Sequence, residues 1–408
     1  MSGGVVVVGA GQAGCQLVAS LREEGFVGAI TLIGAEAHLP YQRPPLSKGH
    51  LTGKTERGRL FLRPESWFAD QRIELRLGTA VADIDREARK LRLADGEVIG
   101  YDVLVLATGS RHRELDVAGR HLGGVLALRS LGEADALRDR LAAARDVVVI
   151  GGGFIGLEVA ATAAAMGRST TVLELGPRLM GRVLSELTAD FLLGAHRARG
   201  VRVELGTGVR GLAGLHGRVM SVTTSAGEVI PADLVLLGVG ALAEDDLARA
   251  AGLLVDQGVV VDAHLRTNDE AIHAIGDCAR FPSPWAGGGS VRLESVQHGV
   301  DSARWLARRL VGHAEPYTAL PWFWSDQGDL KLQIAGLTAG HDEALLVGSP
   351  AANAFSVWCF AADRLVGVET INSAKDHLTA RKLLVAGVPV TPAQVAVAGF
   401  NPKALLPA

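Results

Sequence analysis

Two glycine motifs are the residues of this sequence whose spacing most directly indicates chemistry. Each reads G-x-G-x-x-G between an apolar run and a helix-forming stretch, and their glycines are Gly9, Gly11, Gly14, Gly151, Gly153 and Gly156. In this setting the first glycine allows a tight turn, the second lets a pyrophosphate approach the backbone, and the third lets helix and strand pack closely. The helix N-terminus also attracts negative charge. The sequence therefore predicts two dinucleotide-binding sites.

An acidic residue follows each motif at the end of the next apolar run. Glu36 ends ITLIGAE, and Glu174 ends TTVLE. A carboxylate at either place accepts hydrogen bonds from ribose hydroxyls, and at Glu174 it would also repel a 2′-phosphate. We therefore expect the second site to favour NADH over NADPH, although Arg178 lies close by in the sequence and acts against that preference.

The first 240 residues contain the elements needed to position these groups. Short β-branched runs, glycine turns and alanine-rich helical stretches alternate there, which is typical of βαβ units and parallel sheets. The units that begin at Val5 and Val147 repeat at the scale of a whole domain. Two further apolar runs, at residues 234–240 and 271–279, predict strands that end at a ligand.

A change in composition from about Tyr317 marks a third domain. Aromatic residues and alternating strand patterns dominate there, and a final helix is expected near residues 374–385. The predicted fold class is α/β, with two Rossmann-like dinucleotide-binding domains and a C-terminal α+β domain. We expect a discontinuous first domain at 1–112 and 241–316, a second at 113–240 and the third at 317–408.

Composition and cysteine usage exclude several classes of protein. The 408 residues carry a formal charge of -3, which gives no basic field for nucleic acid. No apolar run approaches the roughly 18 to 20 residues that span a bilayer, and the short N-terminal valine run does not resemble a signal peptide, so we expect no membrane contact and a cytoplasmic protein. Cys15, Cys278 and Cys359 are far apart and fit neither a C-x-x-C pair nor a metal-ligand spacing.

Several longer motifs together resemble one enzyme family. They are PYQRPPLSK at 40–48, LATGS at 106–110, GGGFIGLEVAA at 151–161, AIGDCA at 274–279, RLESVQHG at 292–299 and PWFWSDQG at 321–328. These segments resemble the oxygenase-coupled NADH:ferredoxin reductases, flavoproteins with a glutathione-reductase-like fold. The resemblance implies that FAD occupies the first site and NAD(H) the second. It also implies a [2Fe-2S] ferredoxin partner, Rieske-type or thiolate-ligated, that serves a dioxygenase or a cytochrome monooxygenase.

The resemblance assigns further residues to the cofactors. Those implied for FAD are Ala13, Arg43, Lys48, Val81, Thr108, Gly109, Arg129, Asp277, Ser295 and Val296. Gly238 and Gly240 are implied to border the nicotinamide nucleotide, and Trp322 and Trp324 to contact the flavin. Asp277 would bond the ribityl chain. Relatives usually have asparagine in place of Glu244, which leaves the contact at that position in doubt.

The expected chemistry is hydride transfer from nicotinamide to flavin N5, followed by single-electron transfer to the ferredoxin. The resemblance implies that Glu158 faces the nicotinamide and that Lys48 pairs with it; otherwise Glu158 is an ordinary glutamate on a helix surface. Neither a cysteine pair nor a cysteine in the PYQRPPLSK loop is present, so a one-electron acceptor outside the chain is expected. Its docking surface would draw on basic residues of two helices, namely Arg304, Arg308, Arg309, Lys375, Arg381 and Lys382.

Two other functions are compatible with the same motifs. An NADH oxidase or quinone reductase would use the same flavin but deliver electrons to oxygen or a small molecule. A redox-signalling flavoprotein of the apoptosis-inducing-factor type would have a slow hydride step and a long-lived charge-transfer complex. Turnover without added ferredoxin would favour the oxidase or quinone reductase.

Overall fold

The computed structural model describes residues 4–407, which form two compact units. One unit comprises residues 4–42, 57–111 and 241–321, and the other comprises residues 43–56, 112–240 and 322–407. The second unit therefore groups most of the expected second and third domains with the short segment 43–56. The three domain boundaries stay a prediction, because this division follows contacts and not the expected domains.

The secondary structure alternates as expected in the first part of the chain and is mostly antiparallel near the end. The strands are β1 Val5–Val8, β2 Ile30–Gly34, β3 Ile73–Leu77, β4 Val81–Asp85, β5 Lys90–Leu93, β6 Val98–Gly100, β7 Val103–Leu106, β8 Ser110–His112, β9 Val125–Leu126, β10 Asp146–Ile150, β11 Ser169–Leu173, β12 Arg202–Glu204, β13 Val209–Leu215, β14 Arg218–Thr224, β15 Val229–Pro231, β16 Leu234–Leu237, β17 Ala241–Ala243, β18 Val259–Val260, β19 Ile272–Ala274, β20 Ala279–Pro282, β21 Ser290–Arg292, β22 Trp322–Gln327, β23 Leu330–Gly336, β24 Glu343–Ser349, β25 Ala354–Ala361 and β26 Arg364–Ile371. The helices are α1 Gln12–Glu23, α2 Glu65–Asp70, α3 Leu131–Ala143, α4 Phe154–Ala165, α5 Glu186–Ala198, α6 Asp246–Ala250, α7 Val296–Leu310, α8 Ala374–Val385 and α9 Pro392–Val395.

The first unit is built on a parallel sheet in the order β19-β7-β1-β2-β3. All four valines of β1 are buried, as expected for a central strand covered on both faces. Helices α1 and α7 pack against each other, and their apolar residues join the core formed by the sheet. The first glycine motif lies at the carboxyl end of β1, where parallel sheets bind their ligands.

The second unit contains a parallel sheet and an antiparallel sheet. The parallel sheet has the order β12-β11-β10-β16-β9, with β10 leading into the second glycine motif and α4. The antiparallel sheet has the order β22-β23-β26-β25-β24, and α8 packs on β23 and β26. Two parallel sheets followed by this antiparallel sheet with its helix confirm the predicted fold class. Within residues 4–407, no helix is long and apolar enough to cross a membrane.

Four buried histidines form no ion pair within residues 4–407. They are His196, His273, His298 and His377, and burial lowers the pKa of each from 6.5 to about 4. A buried imidazolium loses its hydration, so the neutral form is favoured in the folded protein. These histidines are therefore neutral at physiological pH and act as core residues.

We predict that the free energy of unfolding decreases as the pH is lowered from 6.5 toward 4. In this window the unfolded chain binds protons that the folded histidines, with pKa values of about 4, do not bind. Each histidine then contributes a loss of up to about 1.4 kcal/mol per pH unit. Urea unfolding between pH 7 and pH 5 measures this slope.

The matched variant is His377→Phe. It keeps an aromatic ring beside Trp322 and sacrifices no hydrogen bond, because neither ring nitrogen of His377 bonds a described group. We expect a shallower slope of stability against pH in this variant. A slope equal to that of the parent protein would contradict the assignment of His377.

Candidate functional site

The first glycine motif combines two close backbone contacts with one open position. Gly9 has φ +116°, and a Cβ on it would lie 2.1 Å from the carbonyl oxygen of Ala107. A Cβ on Gly14 would lie 2.0 Å from the carbonyl oxygen of Gly9, whereas a Cβ on Gly11 would meet nothing within 4 Å. Gly9 and Gly14 are thus required by the fold itself, and Gly11 leaves space at the start of α1.

The second motif repeats this arrangement. Gly151 has φ +108°, and its Cβ would lie 2.3 Å from the carbonyl oxygen of Gly238; that of Gly156 would lie 2.4 Å from the carbonyl oxygen of Gly151. The nearest atom to a Cβ on Gly153 is 4.0 Å away. Gly238 therefore shapes the motif, while Gly240, with φ +99°, ends the same loop.

Both motif helices begin at a residue that has no side chain to cap them. The N-caps are Gly11 for α1 and Gly153 for α4, and neither helix start has a side-chain cap hydrogen bond. The first amides of each helix consequently remain available to an anion. Open space beside these amides fits a dinucleotide pyrophosphate at each motif.

The two acids are held by their surroundings. Glu36 accepts a hydrogen bond from the Tyr41 hydroxyl at 2.6 Å. Glu174 accepts the backbone N–H of Gly152 through Oε2 and that of Gly176 through Oε1, each at 2.6 Å. These bonds fix the Glu174 carboxylate beside the second glycine motif, as ribose recognition requires.

Arg178 does not neutralise Glu174, because no ion pair joins them among the described residues. Instead Arg178 and Arg182 line a cavity of about 310 Å³ together with residues 338–341. The Arg182 guanidinium also lies 3.6 Å from the place of a Cβ on Gly240. Arg182 was not predicted from the sequence, where its spacing of four residues from Arg178 was the available signal.

Asp277 and its neighbours form a connected group in the first unit. Asp277 lies in a short turn after β19 and accepts a hydrogen bond from the Ser110 hydroxyl at 3.0 Å. The Thr108 hydroxyl donates to the Glu244 carbonyl at 2.6 Å, and the Glu244 N–H donates to the Gly109 carbonyl at 2.9 Å. The main chain of residue 244 therefore holds the LATGS loop.

The Glu244 side chain has a separate partner. Its carboxylate pairs with the Arg111 guanidinium at 3.2 Å, and both side chains are about 40% exposed. The departure from asparagine therefore leaves the main-chain contacts to Thr108 and Gly109 in place. The carboxylate itself is directed to a neighbouring cation.

The start of α7 lies close to the first glycine motif. Ser295 caps this helix by accepting the His298 N–H at 3.0 Å, and Val296 is its first residue. A Cβ on Gly299 would lie 3.6 Å from the Cβ of Ala13, so α7 meets α1 at close range. Val81 belongs to a different sheet from β1: it lies on β4, where it pairs with Leu93 of β5.

The segment 43–56 is anchored to other parts of the second unit. Arg43 donates through Nη1 to the carbonyl of Arg129. His50, fully buried, bonds Asp135 through Nε2 at 2.8 Å. The structure thus brings together Arg43 and Arg129, two residues that were assigned to the same cofactor on resemblance alone.

Glu158 is the centre of a buried polar cluster in the second unit. Its side chain is 7% exposed, and its Oε2 lies 2.8 Å from the Lys48 ammonium nitrogen. The same oxygen accepts the Ser47 hydroxyl at 2.5 Å, and Oε1 accepts the Ser325 hydroxyl at 2.5 Å. Glu158 is therefore buried, and the interpretation that it is an ordinary glutamate on a helix surface is wrong. The catalytic role of Glu158 stays a prediction.

The tryptophans of β22 occupy the strand face opposite to this cluster. Trp322 and Trp324 lie 5.5 Å apart, and Trp322 also contacts His377. The Arg381 guanidinium stacks on Trp322 at 4.4 Å, so this residue of the expected docking surface has an intramolecular partner. Phe323, by contrast, packs on Phe154 of α4 at 4.4 Å.

The other five residues of the expected docking surface lie on α7 and α8. Arg304, Arg308, Lys375 and Lys382 are exposed, and Arg309 is half-buried. The flavin contact of Trp322 or Trp324 and the docking role of these basic residues stay predictions.

A pair of glycine variants would separate ligand contact from folding. We predict that Gly9→Ala destabilises the apoprotein by at least about 2 kcal/mol, because it adds a backbone clash and a strained φ. Gly11→Ala should keep the stability of the apoprotein but weaken FAD binding at least about tenfold, since a methyl group would enter the open space. Denaturation of the apoproteins and fluorescence titration with FAD measure the two effects.

Gly132→Ala is the matched control, because a Cβ on this exposed helical glycine also meets nothing within 4 Å. It should lower neither the stability of the apoprotein nor its affinity for FAD. Normal FAD affinity in Gly11→Ala would contradict the assignment of the first motif.

The chain matches known proteins along almost its whole length. Residues 3–303 match the family model described as pyridine nucleotide-disulphide oxidoreductase, and residues 322–406 match the model described as reductase C-terminal. Rhodocoxin reductase of Rhodococcus erythropolis is 49% identical over 399 residues, covering 98% of this chain and 93% of that protein.

Two solved structures have the same fold along nearly the whole chain. The ferredoxin reductase for the CYP199A2 system from Rhodopseudomonas palustris gives a TM-score of 0.96 at 47% identity and covers 99% of this chain and 100% of its own. The covalent complex of putidaredoxin reductase with putidaredoxin gives a TM-score of 0.96 at 38% identity and covers 99% and 98% of the two chains.

Proposed function

Since the chain belongs to the pyridine nucleotide-disulphide oxidoreductase family, we propose that it is an FAD-dependent NADH:ferredoxin reductase. The observation that carries this proposal is the duplicated glycine motif, in which the second glycine faces open space each time. The electron acceptor is a [2Fe-2S] ferredoxin that serves an oxygenase. The similarity to ferredoxin and putidaredoxin reductases supports that partner.

The bound cofactors supply the redox chemistry, which consists of hydride transfer from NADH to FAD and release of single electrons. The protein binds and orients them. The amides after Gly11 and Gly153 would hold the two pyrophosphates, and Glu36 and Glu174 would hold the ribose groups. The positive end of α7, capped by Ser295, would stabilise negative charge on the bound flavin.

Lys48 and Glu158 are the residues we assign to the hydride step. Their ion pair is mostly buried, so its electrostatic interaction is weakly screened by water. Because Lys48 lies in the 43–56 segment and Glu158 on α4, the pair also fixes this segment against the second glycine motif. Fixed geometry of this kind contributes to rate by keeping the reacting groups aligned.

The cysteines support an acceptor outside the chain. Cys15, Cys278 and Cys359 are all buried and free, and burial raises the pKa of all three thiols, that of Cys15 to about 12. Thiols of this kind are unreactive in disulfide exchange. Three free thiols also support a location in the reducing cytoplasm.

We predict that Glu174→Ala raises the ratio of kcat/KM for NADPH to that for NADH by at least about tenfold, because it removes a fixed negative charge beside the ribose site. Steady-state kinetics with both nucleotides measure the ratio. Glu228→Gln, which neutralises an exposed carboxylate paired with Arg202, is the control and should leave the ratio unchanged. An unchanged ratio in Glu174→Ala would remove this residue from nucleotide selection.

Anaerobic stopped-flow spectroscopy tests the proposed function directly. FAD-loaded protein mixed with NADH should bleach the flavin rapidly, and the reduced protein should then reduce a two-iron ferredoxin much faster than it reduces oxygen. Rapid oxygen or quinone reduction would favour an oxidase or quinone reductase instead. A slow hydride step with a persistent charge-transfer band would favour a redox-signalling flavoprotein, and absence of bleaching would exclude all three.

A further inference from the structure

A chain of buried hydrogen bonds leads from the C-terminal sheet to Glu158. Ser325, fully buried on β22, donates its hydroxyl to Glu158 Oε1 at 2.5 Å. Gln327, two residues along the same strand face, donates through Nε2 to the Ser325 hydroxyl oxygen at 2.7 Å. His196 of α5 bonds Gln327 Oε1 through Nε2 at 3.2 Å. Two side chains of β22 and one of α5 therefore form a series of hydrogen bonds that ends on one carboxylate oxygen.

Each side chain in this series donates its hydrogen bond toward Glu158. Burial lowers the pKa of His196 to about 4, so its ring is neutral at physiological pH. Because Gln327 Oε1 can only accept, the His196 proton lies on Nε2. The Gln327 amide then occupies a lone pair of Ser325, which leaves the Ser325 proton directed at Glu158.

The other oxygen of Glu158 connects to the 43–56 segment. Oε2 accepts Ser47 at 2.5 Å and Lys48 at 2.8 Å. The Thr162 hydroxyl of α4 also donates to the Ser47 carbonyl at 3.2 Å. Glu158 thus contacts β22 through Oε1 and the 43–56 segment through Oε2. Because both oxygens belong to one carboxylate, loss of the contact to β22 affects the contacts to the 43–56 segment.

We propose that Ser325, oriented by Gln327 and His196, is a positioning residue that fixes Glu158 for the hydride-transfer step. The inference rests on the proposed function, because it assigns Ser325 to the same site. Ser325 acts through Glu158. Hydrogen bonds from supporting side chains set the orientation of the group that they contact, and buried networks are worth more than isolated pairs.

The test compares variants of the FAD-loaded protein in single-turnover reduction by NADH. Ser325→Ala should lower the limiting rate constant of flavin bleaching about tenfold, because the buried Oε1 loses its donor, while the apparent dissociation constant for NADH changes less than twofold. Ser325→Thr keeps the hydroxyl and should restore the rate to within about threefold. Ser325→Cys keeps the volume without a strong donor and should resemble Ser325→Ala.

The matched control is Ser356→Ala. Ser356 is also fully buried in the C-terminal sheet, and its hydroxyl contacts Asp376 and Trp358. Its removal costs a similar number of buried hydrogen bonds without involving Glu158. It should leave the rate of flavin bleaching unchanged, which separates positioning of Glu158 from general weakening of the sheet.

A double-variant cycle tests whether Ser325 acts through Glu158. Glu158→Ala should itself slow bleaching, and adding Ser325→Ala in that background should change the rate less than twofold. An independent readout is amide hydrogen exchange in the oxidised holoprotein, where Ser325→Ala should accelerate exchange in residues 43–56 more than Ser356→Ala does. This measurement does not depend on turnover.

Three results would overturn the proposal while the parent protein still accepts hydride from NADH. They are a normal rate in both Ser325→Ala and Ser325→Cys, a full additional loss from Ser325→Ala in the Glu158→Ala background, and unchanged exchange in residues 43–56. Failure of the parent protein to bleach with NADH would instead contradict the proposed function itself.

Discussion

A carboxylate that is removed from water must be matched by hydrogen-bond donors or a cation, and Glu158 satisfies this constraint with groups from two other segments of the chain. Lys48 and Ser47 come from the 43–56 segment, and Ser325 comes from the C-terminal sheet. Because removal of any partner leaves a buried charge less well compensated, the carboxylate ties these segments to α4. The second glycine motif opens the same helix, so this motif and the buried pair share one rigid element.

The parts of the site that could be predicted from the sequence are those determined by local backbone geometry. Gly9 and Gly14 lie five residues apart, and the close contact between them is set by the turn from β1 into α1. The same turn recurs at Gly151 and Gly156. The parallel strands and their order along the chain follow in the same way from short apolar runs, which is why the fold class was predictable.

The resemblance implied the pairing of Glu158 with Lys48, but its two serine partners were not predictable from local patterns. Ser47 is 111 residues away in the sequence and Ser325 is 167 residues away. In PWFWSDQG the site residues expected from the sequence were Trp322 and Trp324. Strand alternation instead places Phe323 and Ser325 on the face that meets α4. The alternation of side chains along a strand predicts which residues share a face of β22. It does not predict which of the two faces meets Glu158.

The helices that follow the two glycine motifs begin without a side-chain acceptor for their first amides. Ser130 and Ser185 cap α3 and α5 through their hydroxyls, whereas Gly11 and Gly153 offer α1 and α4 none. A side chain there would satisfy the amides but fill the open space beside Gly11 and Gly153. Local helix stability is therefore lower at these two starts, and their backbone amides remain available as donors for a phosphate. A dinucleotide that binds these amides stabilises the folded state by mass action, so cofactor binding and fold stability are coupled in this protein.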